Sequence, residues 1–267
     1  MSTLVCFHAH PDDEAISTGG LMASAAAAGH RVVLVCATRG EVGEPQEGVL
    51  EAGEELWERR MVELAASAAI LGADEPRWLG YHDSGMIGED TNDAAGSFWT
   101  ADLDEATNRL ADILTEVDAD VLTIYDENGG YGHPDHIMVH RVGLAAAAQA
   151  GVTNVYEATM NRTEMQAMIE AQPDMFDDDE GESDDRIDVE SMGTPAADIS
   201  YRISVGEHIE KKRASMVAHR SQIGPDSIFL TMPDEIFATA FGSEWFNVPG
   251  TTDTGGPTDV ALLPGLT

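Results

Sequence analysis

At 267 residues and 43% hydrophobic content, the chain has enough material for one large α/β domain or a domain with a small appendage. Its charge is extreme: 49 acidic residues face 14 basic ones, for a net charge of −35, and only Lys211 and Lys212 are lysines. This field argues against nucleic acid or an anionic membrane as partner, and no apolar stretch reaches the roughly 18 residues of a spanning helix.

The acid surplus runs along the whole chain, and self-repulsion on this scale destabilises a compact state at low salt. The composition makes sense in concentrated salt, where screening acts within about 3 Å at 1 M. A halophilic, cytoplasmic protein is therefore expected. The opening Met-Ser-Thr runs straight into a strand pattern without a signal-peptide pattern. Cys6 and Cys36 both lie in apolar runs, where buried, reduced thiols are expected.

In chain order, residues 4–8 and 32–37 are short apolar runs rich in valine and cysteine, the pattern of buried parallel strands. Between them 14–28 is alanine-rich and reads as one helix stopped by Gly29, and 50–71 reads as a long helix stopped by Gly72. A third strand is expected at 77–81, a helix at 100–117, a fourth strand at 121–125, a helix at 136–150 and a fifth strand at 152–158. Further on, 199–205 alternates like a strand, while 207–219 and 233–241 read as helices. Three loops interrupt this rhythm: 39–48, 83–97 and 174–185, the last with eight acidic residues in twelve positions and expected to be a solvated surface loop. The last dozen residues are rich in glycine and proline and are expected to be loosely held. The βαβ alternation predicts a Rossmann-like, mostly parallel sheet with helices on both faces. A catalytic core over 1–160 would be followed by a smaller α+β portion over 161–267 that forms part of a substrate lid. No GxGxxG follows the first strand, which speaks against a dinucleotide site.

Two clusters carry the chemistry. His8-Ala9-His10-Pro11-Asp12-Asp13-Glu14 follows the first strand, and His133-Pro134-Asp135-His136 follows the fourth. Ligands of such sheets bind at the carboxyl ends of strands, where both clusters fall. Taken singly, the first could be a polar turn in which Asp12 or Asp13 caps a helix, and the second a plain surface turn. Together they suit a metal: a catalytic zinc takes three protein ligands and leaves one position open. His10 and Asp13 are close enough to share an ion and His136 can complete the set, leaving Asp12 beside the metal as a base and His133 as an oxyanion donor. His8 is as readily a hydrogen-bonded core histidine as a part of the site. His30, His82, His140, His208 and His219 are read as structural.

These strings resemble the LmbE-like, or PIG-L, zinc-dependent deacetylases. The likeness is greatest to the branch holding the mycothiol-biosynthesis deacetylase and the mycothiol conjugate amidase. It extends to Arg39-Gly40-Glu41-Val42-Gly43-Glu44, to Asp83-Ser84-Gly85-Met86 and to the run from Tyr125 to His136. It covers roughly residues 3–160, with weaker echoes at 212–222 and 241–244.

The resemblance implies a hydrolase that removes an N-acetyl group from an N-acetylglucosamine-type substrate. His10, Asp13 and His136 would hold Zn2+, with Fe2+ as the other metal these ligands suit. Asp12 would be the general base, and His133, oriented or charged by Asp135 and helped by Tyr131, would stabilise the oxyanion. Arg60, Asp83 and Glu41 would meet the substrate, although Arg60 could instead pair with Glu63 one turn on. The partner would be a small N-acylated amino sugar, with no nucleic acid and no membrane span, and a homo-oligomer stays open. The halophilic composition departs from a branch tied to actinobacterial thiol metabolism, so the acyl acceptor is not fixed. Amidase action on a thiol-sugar conjugate is the near alternative. A non-haem Fe(II) oxygenase and a non-catalytic metal- or sugar-binding module are the distant ones.

Overall fold

The computed structural model describes residues 1–171 and 189–266; the acidic segment 174–185 lies outside them. One eight-stranded sheet organises the chain. Its strands are β1 (Thr3–His8), β2 (Arg31–Cys36), β3 (Arg77–Trp78), β4 (Val121–Tyr125), β5 (Asn154–Thr159), β6 (Tyr201–Ser204), β7 (Ser243–Asn247) and β8 (Thr258–Val260), in the spatial order β3-β2-β1-β4-β5-β7-β6-β8. The first five run parallel, β7 is antiparallel to both β5 and β6, and β8 returns parallel to β6. The expected Rossmann-like sheet is present. The strands from 161–267 extend that same sheet.

Strand periodicity builds the two faces. Val5 and Phe7 of β1 point into a core with Leu110 and Leu114 of helix α4 (Leu103–Glu116) and Val139 and Val142 of helix α5 (Pro134–Ala150). Leu4 and Cys6 point the other way, toward Leu21 and Met22 of helix α2 (Gly19–Ala27) and Leu64 and Leu71 of helix α3 (Leu56–Leu71). A third, smaller cluster gathers Ala15 of helix α1 (Asp13–Ser17), Met216 of helix α7 (Ile209–Ala218) and Phe237 of helix α9 (Asp234–Phe241). Helices α6 (Arg162–Ala171) and α8 (Ile228–Thr231) complete the described set. Both cysteines are buried and unlinked.

The departures from the sequence pattern have local causes. The alanine-rich 14–28 stretch is two helices, broken at Thr18, whose hydroxyl pairs with His8 Nε2 at 2.8 Å. Helix α3 starts six residues later than expected, at a cap where Glu55 N donates to Glu58 Oε2 at 3.2 Å. Strand β3 is only two residues long. The tail beyond residue 256 is packed rather than loose: Leu263 and Leu266 are in the core, and Tyr156 donates its hydroxyl to the Pro264 carbonyl at 3.0 Å.

Candidate active site

The strand order places β1 beside β4, and chain direction diverges on either side of that pair, so a crevice opens at their carboxyl ends. From β1 the chain turns through Pro11 and Asp12 into α1. From β4 it turns through a glycine-rich loop into α5. Each turn delivers one of the two clusters.

The α5 turn is self-built. Pro134 occupies the first helical position, where its missing N–H costs nothing. His133 is the N-cap: its Nδ1 accepts the backbone N–H of Asp135 at 3.1 Å. A neutral imidazole accepting at Nδ1 carries its proton on Nε2. Burial, reinforced by His10 and His136, pushes the pKa of His133 down to about 3, so the ring stays neutral. His133 therefore offers one N–H donor.

On the same turn, His136 Nδ1 faces the Gly129 carbonyl at 3.1 Å, and its ring stacks on Tyr125 with centroids 4.3 Å apart. Gly129 has φ +63°, and a Cβ there would collide with Cβ of His136, so only glycine brings its carbonyl to the ring. His136 Nε2 is buried with no hydrogen-bond partner and lies 3.4 Å from Asp13 Oδ1.

The α1 turn mirrors this. His10 Nδ1 lies 3.5 Å from Asp13 Oδ2, while its Nε2 lies 3.1 Å from Asp135 Oδ2 and 3.4 Å from Asp83 Oδ1. Each histidine thus has its outer nitrogen against a carbonyl or carboxylate and its inner nitrogen beside Asp13. Metal-binding histidines are oriented in this way. An orphaned buried imidazole nitrogen next to a carboxylate fits a divalent metal. Among the described residues, the donor groups whose atoms all lie within 4.8 Å of one another are His10 with His133 and His136, and His10 with Asp83 and Asp135, while Asp13 meets His10 and His136 pairwise.

Asp12 stands apart from these donors. Its backbone is at φ 109°, ψ −29°, a conformation that costs a non-glycine residue of order 1–3 kcal/mol. It caps α1 by position only, since its side chain makes no cap hydrogen bond. The carboxylate instead lines the cleft, 3.3 Å from Arg60 Nη2. Burial pushes its pKa up to about 6, with Asp13 adding to the rise and Arg60 opposing it.

Arg60 is 4% exposed and donates from Nη1 to Gly40 O at 2.9 Å and from Nη2 to Pro11 O at 2.5 Å. The alternative pairing with Glu63 does not occur. Glu63 instead accepts from the backbone N–H and hydroxyl of Ser221 at 2.9 and 2.6 Å. Gly40, at φ +67°, is the close-approach point, because a Cβ there would overlap the Arg60 guanidinium.

The cleft, of about 230 Å³, is lined by His10, Asp12, Asp13, Arg60, Asp83, Tyr131 and His133, together with Val42, Gly43, Gly85, Met86 and Glu89. Every described lining residue comes from 1–160, and 161–267 meets the surroundings of the cleft through His219 on Glu14 and Ser221 on Glu63. Two expectations need correction. Asp135 does not orient His133 through its carboxylate. That group is fully buried against Ser84, accepting from its backbone N–H at 3.0 Å and from its hydroxyl, and against His10; His133 is held by the Asp135 backbone. Glu41 does not line the cleft: its carboxylate accepts from Arg39 at 3.0 Å and from the Asp83 backbone at 3.2 Å. His8 is structural, bonded through both nitrogens to Tyr125 and Thr18 at 2.7 and 2.8 Å.

Several residues given no role by the sequence also belong to the site. Glu89 lies in a loop marked only by its composition, next to Met86 of the Asp83–Met86 string. Glu14, fully buried, accepts from Ser67 at 2.5 Å, pairs with His219 at 2.6 Å and accepts the Asp12 backbone N–H at 3.0 Å. His219 therefore backs the catalytic turn from 205 residues away.

Residues 5–147 match the family described as GlcNAc-PI de-N-acetylase, PIG-L. A 1D-myo-inositol 2-acetamido-2-deoxy-alpha-D-glucopyranoside deacetylase of Acidothermus cellulolyticus is 41% identical over 255 residues, covering 91% of this chain and 87% of that protein. Among solved structures, an N,N'-diacetylchitobiose deacetylase from Pyrococcus horikoshii superposes with a TM-score of 0.63 at 20% identity, covering 93% of this chain and 84% of its own. The 4-carboxy-2-hydroxymuconate hydratase of Pseudomonas putida KT2440 shares the fold at a TM-score of 0.56 and 17% identity, covering 92% of this chain and 95% of its own. Fold alone therefore does not choose the reaction. The family match over more than half the chain and the long, closely similar relative do choose the lineage: the chain belongs to the PIG-L family of GlcNAc-PI de-N-acetylases.

Proposed function

We propose that this protein is a metal-dependent N-deacetylase acting on a small N-acetylglucosamine glycoside, with His10, Asp13 and His136 holding Zn2+ or Fe2+. One observation carries the metal assignment: the inner nitrogens of two imidazoles flank Asp13 at 3.5 and 3.4 Å while their outer nitrogens are already engaged. The substrate class is supported by relatives named for an acetamido-glucopyranoside of inositol.

A metal held there supplies Lewis-acid polarisation and acidifies water. The chain's own groups do the rest. Asp12 takes the proton of the attacking water as its oxygen bonds to the acetamide carbonyl carbon. His133, a neutral Nε2–H donor, stabilises the charge that grows on the carbonyl oxygen, with the Tyr131 hydroxyl beside it. The C–N bond then breaks, Asp12 returns the proton to the leaving nitrogen, and acetate and the free amine result. Arg60 holds the Asp12 turn through Pro11 O and lines the cleft; Asp83 accepts a sugar hydroxyl. We further infer a cytoplasmic, salt-adapted protein, supported by two unlinked thiols and the acid surplus. No helix among the described residues is long and apolar enough to cross a membrane.

The test is metal analysis of the purified chain followed by acetate release from N-acetylglucosamine glycosides in high salt. Asp13→Ala and His136→Ala are expected to lose both metal and activity. Unchanged metal content in either variant overturns the ligand set, and oxygen consumption with 2-oxoglutarate in place of acetate release overturns the reaction.

A further inference from the structure

We propose that the cleft selects neutral amino-sugar glycosides and rejects phosphorylated ones, and that Glu89 sets this charge preference; the inference rests on the deacetylase reading of the same site.

Among the lining residues, four carboxylates, Asp12, Asp13, Asp83 and Glu89, face one guanidinium, Arg60, beside the divalent ion that the proposed function places on His10, Asp13 and His136. That guanidinium is already engaged: Nη1 and Nη2 donate to Gly40 O and Pro11 O, Nη2 lies 3.3 Å from Asp12, and Nε is buried without a partner. Met86, Glu89 and Val42, the lining side chains beyond the metal cradle, offer no cation to a phosphate. The acetamide must reach the Asp12 and His133 end to react, so the rest of the substrate points to the mouth. There it meets Met86, Glu89, Val42 and Gly43 rather than the metal cradle.

Glu89 is exposed yet held. Asn92, itself buried, donates its amide to Ser84 O at 2.6 Å and Met86 O at 3.0 Å and accepts the Gly88 N–H at 2.8 Å, which closes the loop on itself. Thr91 donates to Ser84 O at 2.8 Å, and Ser84 is fastened to Asp135 of α5. The Glu89 carboxylate lies over Gly85, which has φ +68°, and accepts from the Thr91 hydroxyl at 3.4 Å. A carboxylate there accepts hydroxyls and repels a second anion, an effect focused by the surrounding acidic walls.

The experiment measures dissociation constants by calorimetry on the metal-loaded full chain at constant ionic strength, with acetate release followed in parallel. The probes are methyl N-acetylglucosaminide, N-acetylglucosamine 1-phosphate and N-acetylglucosamine 6-phosphate. Both phosphates are expected to bind on the order of tenfold more weakly than the neutral glycoside, and Glu89→Gln is expected to close most of that gap. Equal or tighter binding of either phosphate, or a gap unchanged in Glu89→Gln, overturns the inference. If the gap holds and closes as expected while no acetate is released, charge selection stands and the deacetylase reading falls. Acetate released from the phosphates as fast as from the neutral glycoside leaves the deacetylase reading standing and sinks this one. Absence of binding by all three overturns both.

Discussion

In the proposed mechanism Asp12 and His133 each serve the fold and the reaction, and suitable substitutions separate the two. Asp12→Asn keeps the shape of the side chain and removes its basicity. It is expected to retain metal and lose about 10²–10⁴-fold in kcat; acetate release near the parental rate at full metal content would remove Asp12 from the proton path. His133 caps α5 through Nδ1 and donates through Nε2. His133→Ala removes both functions, and is expected to cost roughly 1 kcal/mol of stability as well as activity. His133→Asn restores a good cap without restoring the donor toward the cleft. Its denaturation midpoint should therefore return toward the parent while kcat stays low. Recovery of kcat together with stability would mean that the ring acts only as a cap.

At the scale of elements, distant segments are tied to the Asp12 turn and to the helices that follow it. Glu14 links α1 to Ser67 on α3 and to His219 just after α7, and holds the Asp12 N–H. Glu244 at the start of β7 accepts the Gly20 and Leu21 N–H groups at 2.7 and 2.8 Å and pairs with Lys212, which is 1% exposed. Breaking a buried charged network by removing one partner costs several kcal/mol. His219→Phe should accordingly lower stability by roughly 3 kcal/mol, read from denaturant unfolding, and lower kcat through loss of Asp12 positioning while metal content is kept. Unfolding indistinguishable from the parent would show that the pair bears no load.

Strand β5 carries a second testable group. Burial, with help from Asp126 and Glu127, pushes the Glu157 pKa up to about 7. The folded state then holds this proton more tightly than the unfolded chain, so stability falls as pH rises from about 4.5 to about 7. Glu157→Gln should be more stable than the parent at pH 8, by up to roughly 3 kcal/mol, and equal to it at pH 4. No advantage at pH 8 would mean that His140, 3.4 Å away, already compensates the carboxylate. What the sequence reveals here follows from periodicity. β1, β4 and, beyond Arg31, β2 are buried and largely apolar and are visible in it, as are the histidine clusters after β1 and β4. β7 is not, because its buried Glu244 breaks the strand pattern and is tolerated only through Lys212, 32 residues away. His219 reads as structural, but its partner Glu14 is not legible because it lies 205 residues away. Glu89 gave none because only the folded loop brings it to the cleft.

The whole molecule carries its charge as a field. Many of the described cations are spent in pairs near the surface, such as Arg31 with Asp74, Arg77 with Glu116 and Arg109 with Glu105, and such pairs contribute little each. The remaining carboxylates repel over about 10 Å at 0.1 M salt and over about 3 Å at 1 M. The apolar cores on the two sheet faces do not change with salt, so the repulsive part should dominate the salt dependence. Denaturation midpoints should rise steeply between about 0.1 and 1 M KCl and then level off, and NaCl should give nearly the same curve. Screening saturates once its range falls below the spacing of the charges. A salting-out effect on apolar surface would instead keep rising with concentration and would be stronger in sulfate than in chloride. A midpoint that is flat or falls across this range would show that the acid surplus is not an adaptation to salt. A rise that never levels and follows sulfate would assign the dependence to the cores rather than to the −35 charge.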